Sequence, residues 1–282
     1  MLNNKIKKIV RNALREDIGT GDVTTGLAVP AQLRANAVIL FKEKAVVAGL
    51  EFAQEAFRAL DPHCCFEMKH KDGDMVLAGT TVLGVKGKAR AILTAERVAL
   101  NFLSYLSSIS TETRRYCDAI KPVKADILDT RKTTPGMREL ERYVVRTGGG
   151  ANHRFDLGEM VLLKDNHRAM NRFGSLAEMV EDIRRRTHKP IEVEVDTINE
   201  LEDVLRANPD MILLDNMSLA QLRRAVKIVH QLPRSRRPLL EASGGVTLKT
   251  VRAIAKTGVD RISVGALTHS RRAVDVSLEM IS

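Results

Sequence analysis

Six short apolar segments alternate with amphipathic stretches through the second half of the chain, and no other feature constrains its fold as strongly. The segments are rich in Val, Ile, Leu and Met, and their length is that of strands rather than helices. They cover residues 125–128, 160–163, 191–195, 211–214, 239–240 with its flanks, and 261–264. Buried strands that alternate with helices predict a βα-wound domain with a parallel sheet.

The helices between these segments carry clear start signals. In a capping box, a hydroxyl residue and a Glu or Gln three positions later satisfy free backbone N–H groups at the start of a helix. The pattern occurs at Ser175 with Glu178, Thr197 with Glu200, and Ser218 with Gln221. We expect a further helix to open at Thr247.

Charged residues and glycines directly follow the predicted strands. The carboxyl ends of the strands of a parallel α/β barrel share one rim, so residues that are far apart in sequence meet there. The residues expected at the rim are Arg131, Lys132, Lys164, Glu194, Asp215, Ser243, Gly244, Gly245 and Gly265, with His153 and Arg154 beside it. We therefore expect the reactive chemistry at this rim.

The net charge of +10 raises the question of nucleic-acid binding. Aromatic residues make up 4% of the chain, Trp is absent, and no aromatic residues interleave with the basic ones, so base stacking is not supported. The arginine runs 184–186 and 234–237 fit solvated charges at helix ends. The cations expected at the rim would repel one another without an anionic occupant, which favours a polyanionic small substrate.

Two glycine-rich turns, 243–245 and 265–266, end the last two predicted strands. Glycine lets backbone amides approach an anion closely, and the loops after the last two strands are the usual phosphate site of such barrels. Glu194 and Asp215 end neighbouring strands, where paired carboxylates can hold Mg²⁺, bind ribose hydroxyls or stabilise a positively charged transition state. Pairing of each acid with a local Lys or Arg is the alternative.

Lys132 and Lys164 leave a second chemistry open, because a desolvated lysine in a barrel can form a Schiff base. The carboxylate of Asp165 is expected to favour the charged form of Lys164. Anion binding is therefore the preferred role of both lysines.

Glu192 and Asp196 are weaker candidates than Glu194. Glu192 shares strand parity with Glu194 but lies deeper, where we expect a neighbouring Lys to neutralise it. His153 is expected to act as a hydrogen-bond donor rather than a proton shuttle, and His167 has a similar, weaker case. The remaining histidines are expected to be structural or to lie on the surface: His63, His70, His188, His230 and His269.

The first part of the chain predicts a small α+β domain. Helical patterns cover residues 5–16, with Ile6 on the apolar face, 50–60 and 91–120, and strand patterns cover 35–41, 66–70 and 82–88. Neither a signal peptide nor a membrane helix is indicated. The three cysteines, Cys64, Cys65 and Cys117, form no CxxC pair, so we expect neither disulfides nor zinc and place the chain in the cytoplasm.

Eight motifs spread over nearly the whole chain resemble one family, quinolinate phosphoribosyltransferase. They are residues 16–25 (EDIGTGDVTT), 96–101 (ERVALN), 129–136 (DTRKTTPG), 148–154 (GGGANHR), 164–167 (KDNH), 192–196 (EVEVD), 214–216 (LDN) and 241–245 (EASGG). The resemblance implies an N-terminal α+β sandwich domain, 1–112, and an incomplete, seven-stranded α/β barrel, 113–268. The C-terminal segment 269–282 is then expected to pack back on the N-terminal domain.

The resemblance also implies a reaction in which quinolinate and 5-phosphoribosyl 1-pyrophosphate give nicotinate mononucleotide, pyrophosphate and CO₂, with Mg²⁺, in NAD biosynthesis. It implies a homodimer with shared active sites, with a hexamer as the alternative assembly, and no nucleic-acid or membrane partner.

The resemblance assigns roles to the site residues as well. Five side chains would surround quinolinate and pyrophosphate, namely those of Arg131, Lys132, His153, Arg154 and Lys164, and Arg97 would reach in from the partner subunit. Catalytic roles fall to Lys132, Glu194 and Asp215; the two acids bind ribose and Mg²⁺, directly or through water, and Ser243, Gly244, Gly245 and Gly265 hold the 5-phosphate.

Two other functions stay open at this stage. A paralogous group of molybdenum-transport loci shares the fold and several motifs, although residues 133–136 and 152–154 favour quinolinate. A phosphosugar-binding barrel without activity, or one that uses a Schiff base, is the alternative from a different class.

Overall fold

The computed structural model describes residues 4–170, 173–270 and 272–281, with the side chains of Lys5 and Ile6 left out. The place expected for Ile6 on an apolar face, and residues 271 and 282 of the expected C-terminal segment, therefore lie outside the described residues. Within the described ranges, no helix is long and apolar enough to cross a membrane.

The described residues form helices and strands in the following order along the chain. The helices are α1 (Asn4–Ile18), α2 (Val23–Ala28), α3 (Leu50–Leu60), α4 (Ala89–Ile120), α5 (Arg138–Thr147), α6 (Asp165–Ala169), α7 (Leu176–Arg186), α8 (Ile198–Val204), α9 (Leu219–His230), α10 (Val251–Ala255) and α11 (Ala266–His269). The strands are β1 (Arg34–Phe41), β2 (Ala45–Val46), β3 (Cys65–Met68), β4 (Met75–Val76), β5 (Thr80–Lys88), β6 (Asp126–Leu128), β7 (Val161–Leu163), β8 (Ile191–Val195), β9 (Met211–Asp215), β10 (Leu239–Ser243), β11 (Arg261–Ser263) and β12 (Val276–Ile281).

The chain forms two compact units. The first comprises Met1–Arg114, Gly136–Gly149 and Arg271–Ser282, and the second comprises Arg115–Pro135 and Gly150–Ser270. Residues 136–149, which the sequence-based boundaries assigned to the barrel, thus group with the first unit in the structure.

The first unit is built on an antiparallel sheet in the order β12-β1-β5-β3. The last strand of the chain pairs along β1, with Asn36 opposite Ile281 and Phe41 opposite Val276. β2 and β4 form a separate two-stranded sheet. The inward residues of β1 alternate with more exposed ones, as expected of a sheet with one covered face.

The second unit is a six-stranded parallel sheet in the order β6-β11-β10-β9-β8-β7. All five residues of β8 and the first four of β9 are buried, as expected where both faces of a parallel sheet are covered. The predicted N-caps are present, because the Ser175, Thr197 and Ser218 hydroxyls each accept a hydrogen bond from the backbone N–H three residues later. The predicted βα-wound domain is confirmed.

The sequence shows six strand patterns, whereas the resemblance implies a seven-stranded barrel. A single residue supplies the weak seventh strand. Ala151 forms an isolated parallel bridge with Leu128 at the edge of the sheet. Its N–H donates to Ile127 O at 2.8 Å, and its carbonyl accepts from Asp129 N at 3.3 Å. β6 and β7 are the two edge strands of the ordered sheet, so the barrel is not closed. The structure therefore agrees with the expected incomplete barrel.

Candidate active site

A pocket of about 310 Å³ lies at the carboxyl ends of the parallel strands. The structure brings together these residues predicted from the sequence: Arg131, Lys132, His153, Arg154, Lys164, Glu194, Asp215 and Ser243. The same pocket is also lined by residues that sequence reasoning missed: Thr130, Leu162, Leu213, Glu241 and Ser263. Basic side chains and carboxylates thus share one cavity.

Four predicted site residues do not line this pocket. Gly244 and Gly245 follow β10, and Gly265 lies beside Lys132, whose Cδ would be 3.5 Å from a Cβ at that glycine. Arg97 is an exposed residue of α4 and belongs to the first unit.

Backbone contacts hold Lys132 at the end of β6. Its N–H donates to Thr130 Oγ1 at 3.1 Å, and its carbonyl accepts from Thr268 Oγ1 at 2.7 Å. The side chains of Arg131 and Lys132 are exposed, so both can meet a ligand. The backbone of Lys132 is thus fixed, while the charged side chains of both residues are exposed to a ligand. This arrangement suits the binding of a multiply charged molecule.

Lys164 forms an ion pair with Glu194 rather than with its neighbour Asp165. The Asp165 carboxylate instead accepts a hydrogen bond from the Asn166 N–H. We expected Asp165 to favour the charged form of Lys164, but the carboxylate paired with this lysine is that of Glu194. The Lys164 N–H donates to His167 Nδ1 at 3.0 Å, which fixes the start of α6. Because a Schiff base requires a neutral amine, pairing with a carboxylate favours anion binding by Lys164.

Glu194 and Asp215 lie on the neighbouring strands β8 and β9. Glu194 is buried, whereas Asp215 is half-buried and accepts a hydrogen bond from Asn216 Nδ2 at 2.6 Å. Asp196 is an exposed residue whose carboxylate lies 3.1 Å from Arg168 Nη2. Asp196 is thus paired away from the pocket, whereas Asp215 and Glu194, which is itself paired with Lys164, line it.

His153 contacts two buried glutamates. Its Nε2 lies 3.0 Å from Glu192 Oε2 and 3.5 Å from Glu241 Oε1. The expectation that a Lys neutralises Glu192 is wrong, since this histidine occupies that place. Burial opposes the charged imidazole, but the hydrogen bond to Glu192 and the charges of Glu241 and Glu192 outweigh it and raise the pKa of His153.

Glu241 is a weaker acid than an ordinary glutamate. Burial, followed by the negative charge of Glu192, raises the pKa of Glu241 to about 7. Sequence reasoning could have found Glu241 from the period of two along β10, because Glu241 shares strand parity with the predicted Ser243.

Arg154 is buried, with 8% of its surface exposed. Its Nη1 donates to Met160 O at 3.0 Å, next to the edge strand β7. Burial and then the charge of Arg131 lower the pKa of Arg154. The guanidinium therefore has a structural partner as well as a place in the pocket wall.

Asp129 is a supporting residue that sequence reasoning did not single out. It is buried directly after β6 and accepts hydrogen bonds from Asn152 Nδ2 at 2.6 Å and from His153 N at 2.8 Å. Its position as the first acid after a strand was the available signal. Asp129 thus anchors the segment that carries His153 and Arg154.

The glycine turn after β10 has the tight geometry expected of it, but the helix after it begins later. Gly244 has φ +92°, and Asn216 N donates to Ser243 O at 3.0 Å. The expectation that Thr247 opens a helix is wrong: α10 begins at Val251, with Thr250 as its N-cap. The Thr247 N–H donates to Thr250 Oγ1 at 2.9 Å, which uses the group that would otherwise face an anion.

Known proteins match this chain over nearly its whole length. Residues 22–107 match the N-terminal domain of quinolinate phosphoribosyl transferase, and residues 109–279 match its C-terminal domain. The nicotinate-nucleotide pyrophosphorylase [carboxylating] of Mycobacterium leprae is 40% identical over 277 residues, which is 96% of this chain and 95% of that protein. A probable nicotinate-nucleotide pyrophosphorylase [carboxylating] of Bacillus subtilis is 38% identical, covering 98% of this chain and 93% of its own length.

Solved structures agree over the same length. The nicotinate-nucleotide pyrophosphorylase of Francisella tularensis superposes with a TM-score of 0.92 at 38% identity, covering 100% of this chain and 98% of that one. The corresponding protein of Ehrlichia chaffeensis gives a TM-score of 0.90 at 39% identity, with coverages of 97% and 98%. By sequence and by fold, this chain belongs to the quinolinate phosphoribosyltransferase family.

Proposed function

We propose that the chain transfers the phosphoribosyl group of 5-phosphoribosyl 1-pyrophosphate to quinolinate with loss of CO₂, giving nicotinate mononucleotide and pyrophosphate in NAD biosynthesis. The observation that carries the proposal is the shared pocket of Arg131, Lys132 and Lys164 with the strand-end acids Glu194 and Asp215. Both substrates are multiply charged anions, and clustered cations in a partly enclosed pocket attract such molecules.

The cations of the pocket would bind the two anionic substrates. Arg131 and Arg154 offer planar guanidinium groups that suit carboxylates, and Lys132 and Lys164 offer point charges for carboxylate or phosphate. The ion pair of Lys164 with Glu194 would rearrange when an anion arrives, because the same ammonium group would then have two negative partners.

The chemistry would need no covalent enzyme intermediate. The ring nitrogen of quinolinate attacks the anomeric carbon while the bond to pyrophosphate breaks, so positive charge develops on the ribose. Glu194 and Asp215 would stabilise that charge, and Lys132 with the nearby cations would stabilise the departing pyrophosphate. The carbon–carboxylate bond at position 2 then breaks and CO₂ leaves. The electron pair stays at that carbon, stabilised by the newly cationic ring nitrogen, and the carbon takes up a proton from solvent to give nicotinate mononucleotide.

Magnesium fits the residues of this pocket. Mg²⁺ prefers oxygen ligands and is commonly held by one or two carboxylates together with substrate phosphates. Glu194 and Asp215 are the carboxylates at the strand ends and would hold it, directly or through water. Once bound, the ion would neutralise negative charge on the pyrophosphate.

The 5-phosphate would bind at the turns after the last two strands of the sheet. Ser243 lines the pocket, and Gly244, Gly245 and Gly265 follow the ends of β10 and β11. A glycine backbone lets N–H groups approach an anion closely. This role is supported by the positive φ of Gly244 and Gly245.

We also infer a homodimer in which Arg97 of the partner subunit completes each site. The exposure of Arg97 on α4 leaves it available for such a contact. We also propose a cytoplasmic location, because the three cysteines of the sequence form no CxxC pair.

A coupled assay for pyrophosphate release tests the proposal. We expect release only when quinolinate, 5-phosphoribosyl 1-pyrophosphate and Mg²⁺ are all present. Release without quinolinate, or none with all three, would contradict it. Borohydride treatment with substrate should trap no lysine adduct, because a trapped adduct would indicate Schiff-base chemistry instead.

A further inference from the structure

Three polar residues form a largely buried group at the pocket, and we call His153, Glu192 and Glu241 the His153 cluster. His153 and Glu241 line the pocket wall. Glu192 is fully buried and Glu241 is 1% exposed. One ligand-type atom from each of the three residues lies within 4.8 Å of the others. The interiors of such barrels are usually filled by branched apolar side chains, so two buried carboxylates at this depth require a reason.

Both nitrogens of the His153 ring lie close to polar groups. Nε2 faces Glu192 Oε2 at 3.0 Å and Glu241 Oε1 at 3.5 Å. Nδ1 accepts the backbone N–H of Arg154 at 2.8 Å. A nitrogen that accepts an N–H carries no proton itself, so the proton of the neutral ring belongs on Nε2, between the two carboxylates.

The ring therefore links the strands β8 and β10 to the segment that carries Arg154. That segment is also tied down at two other points, by Asp129 at His153 N and by Met160 O at the Arg154 guanidinium. The ring contact is what fixes the backbone of Arg154 itself. Displacing the ring would release the N–H of a residue in the pocket wall.

The charge balance of the His153 cluster fits a hydrogen-bonding role. Burial and the charge of Glu192 raise the pKa of Glu241 to about 7, so below that pH a protonated Glu241 reduces the negative charge buried in the cluster. A single retained charge opposite an N–H donor costs less than two buried charges.

We propose that Glu192 and Glu241 are positioning residues, which orient the His153 ring and through it hold Arg154 in place for quinolinate. The inference rests on the proposed function, since it names how one substrate of that reaction is positioned. Neither glutamate needs to touch the substrate. Their effect passes through the ring of His153.

A spectroscopic measurement tests the geometry independently of turnover. The full-length protein is labelled with ¹⁵N-histidine, and the His153 signals are assigned by their loss in His153→Asn. At a pH well above the raised pKa of His153, we expect an unprotonated Nδ1 and a protonated Nε2 in the wild type. A protonated Nδ1, or an equal mixture of the two tautomers, would overturn the proposal.

Kinetics of Glu192→Gln and Glu192→Ala test the positioning effect. Gln keeps an oxygen acceptor for Nε2–H, whereas Ala removes it, so we expect a rise in the KM for quinolinate of about tenfold or more for Ala and a smaller rise for Gln. The KM for 5-phosphoribosyl 1-pyrophosphate should change less than about twofold. Glu241→Gln should behave as Glu192→Gln does.

Glu55→Gln is the matched control, because Glu55 is buried on α3 in the other unit. It should change both KM values by less than about twofold. If Glu192→Gln and Glu192→Ala raise both KM values equally, or change neither, the positioning role is wrong. A tightly bound metal ion, found by elemental analysis of the wild type and lost in Glu192→Gln, would also overturn the proposal. Wild-type protein without quinolinate-dependent turnover would instead contradict the proposed function.

Discussion

Gly244 and Asn216 approach so closely that a Cβ on Gly244 would lie 2.1 Å from Asn216 Oδ1. Gly244 also has φ +92°, which L side chains rarely adopt, so both space and backbone conformation require glycine there. The contact joins the turn after β10 to the residue that follows β9. Two neighbouring strand ends are thus held in one arrangement at the rim.

Gly244→Ala should therefore damage the proposed phosphate site. We expect a loss of about 2 kcal/mol or more in unfolding free energy and a rise of at least about tenfold in the KM for 5-phosphoribosyl 1-pyrophosphate. Gly245→Ala is the matched control, since φ is +58° and nothing lies within 4 Å of the added Cβ. It should cost only about 1 kcal/mol. Equal losses of unfolding free energy in the two variants would show that the contact with Asn216 is not what matters.

Lys132→Ala should lower kcat by about two orders of magnitude or more without unfolding the protein. The side chain is exposed, and the backbone of Lys132 keeps its contacts with Thr130 and Thr268. Steady-state kinetics and a thermal melt measure the two effects. Near-normal turnover would refute the role assigned to this lysine.

A mixing experiment tests whether Arg97 acts across the dimer. Arg97→Ala and Lys132→Ala should each be nearly inactive alone. After subunit exchange, each mixed dimer would contain one site with both residues intact, so activity should return to as much as about a quarter of the wild-type value. If Arg97 served the barrel of its own chain, every site would lack one residue and the mixture would stay inactive.

Glu241 should make the stability of the protein depend on pH. Its pKa is raised from 4.5 to about 7 on folding, by burial and then by the charge of Glu192. The protonated carboxyl thus stabilises the folded state below pH 4.5, and this contribution is lost as the pH rises through about 7.

Replacing the carboxyl group of Glu241 with a group that does not titrate should abolish this loss of stability at higher pH. The unfolding free energy of Glu241→Gln relative to the wild type should rise by about 2 to 3 kcal/mol between about pH 5 and about pH 8. Denaturant unfolding at several pH values measures this difference. Parallel curves for the two proteins would mean that Glu241 titrates as an ordinary carboxyl group.

The strands and helix starts could be predicted from the sequence because they depend on local patterns. The predicted strand 191–195 is β8, and the hydroxyls of Ser175, Thr197 and Ser218 cap the helices that they were expected to start. The length and composition of an apolar run indicate a buried strand, and a capping residue bonds N–H groups three residues away, so both signals can be recognised without knowing the distant partners.

The partners of charged side chains could not be predicted in the same way. Asp165 was expected to pair with Lys164 because it is adjacent, but the ion pair forms with Glu194, 30 residues away. Glu192 likewise meets His153 rather than a lysine. The bridge of Ala151 to Leu128 was missed because one residue carries no strand pattern.

Product stoichiometry is the most direct test of the central claim that this pocket joins two anionic substrates and releases a carboxylate. The purified protein is incubated with carboxyl-labelled quinolinate, 5-phosphoribosyl 1-pyrophosphate and Mg²⁺, and CO₂, pyrophosphate and nicotinate mononucleotide are quantified together. The account predicts equal amounts of the three products, all dependent on quinolinate. Pyrophosphate release without labelled CO₂, or with no nucleotide formed, would contradict it.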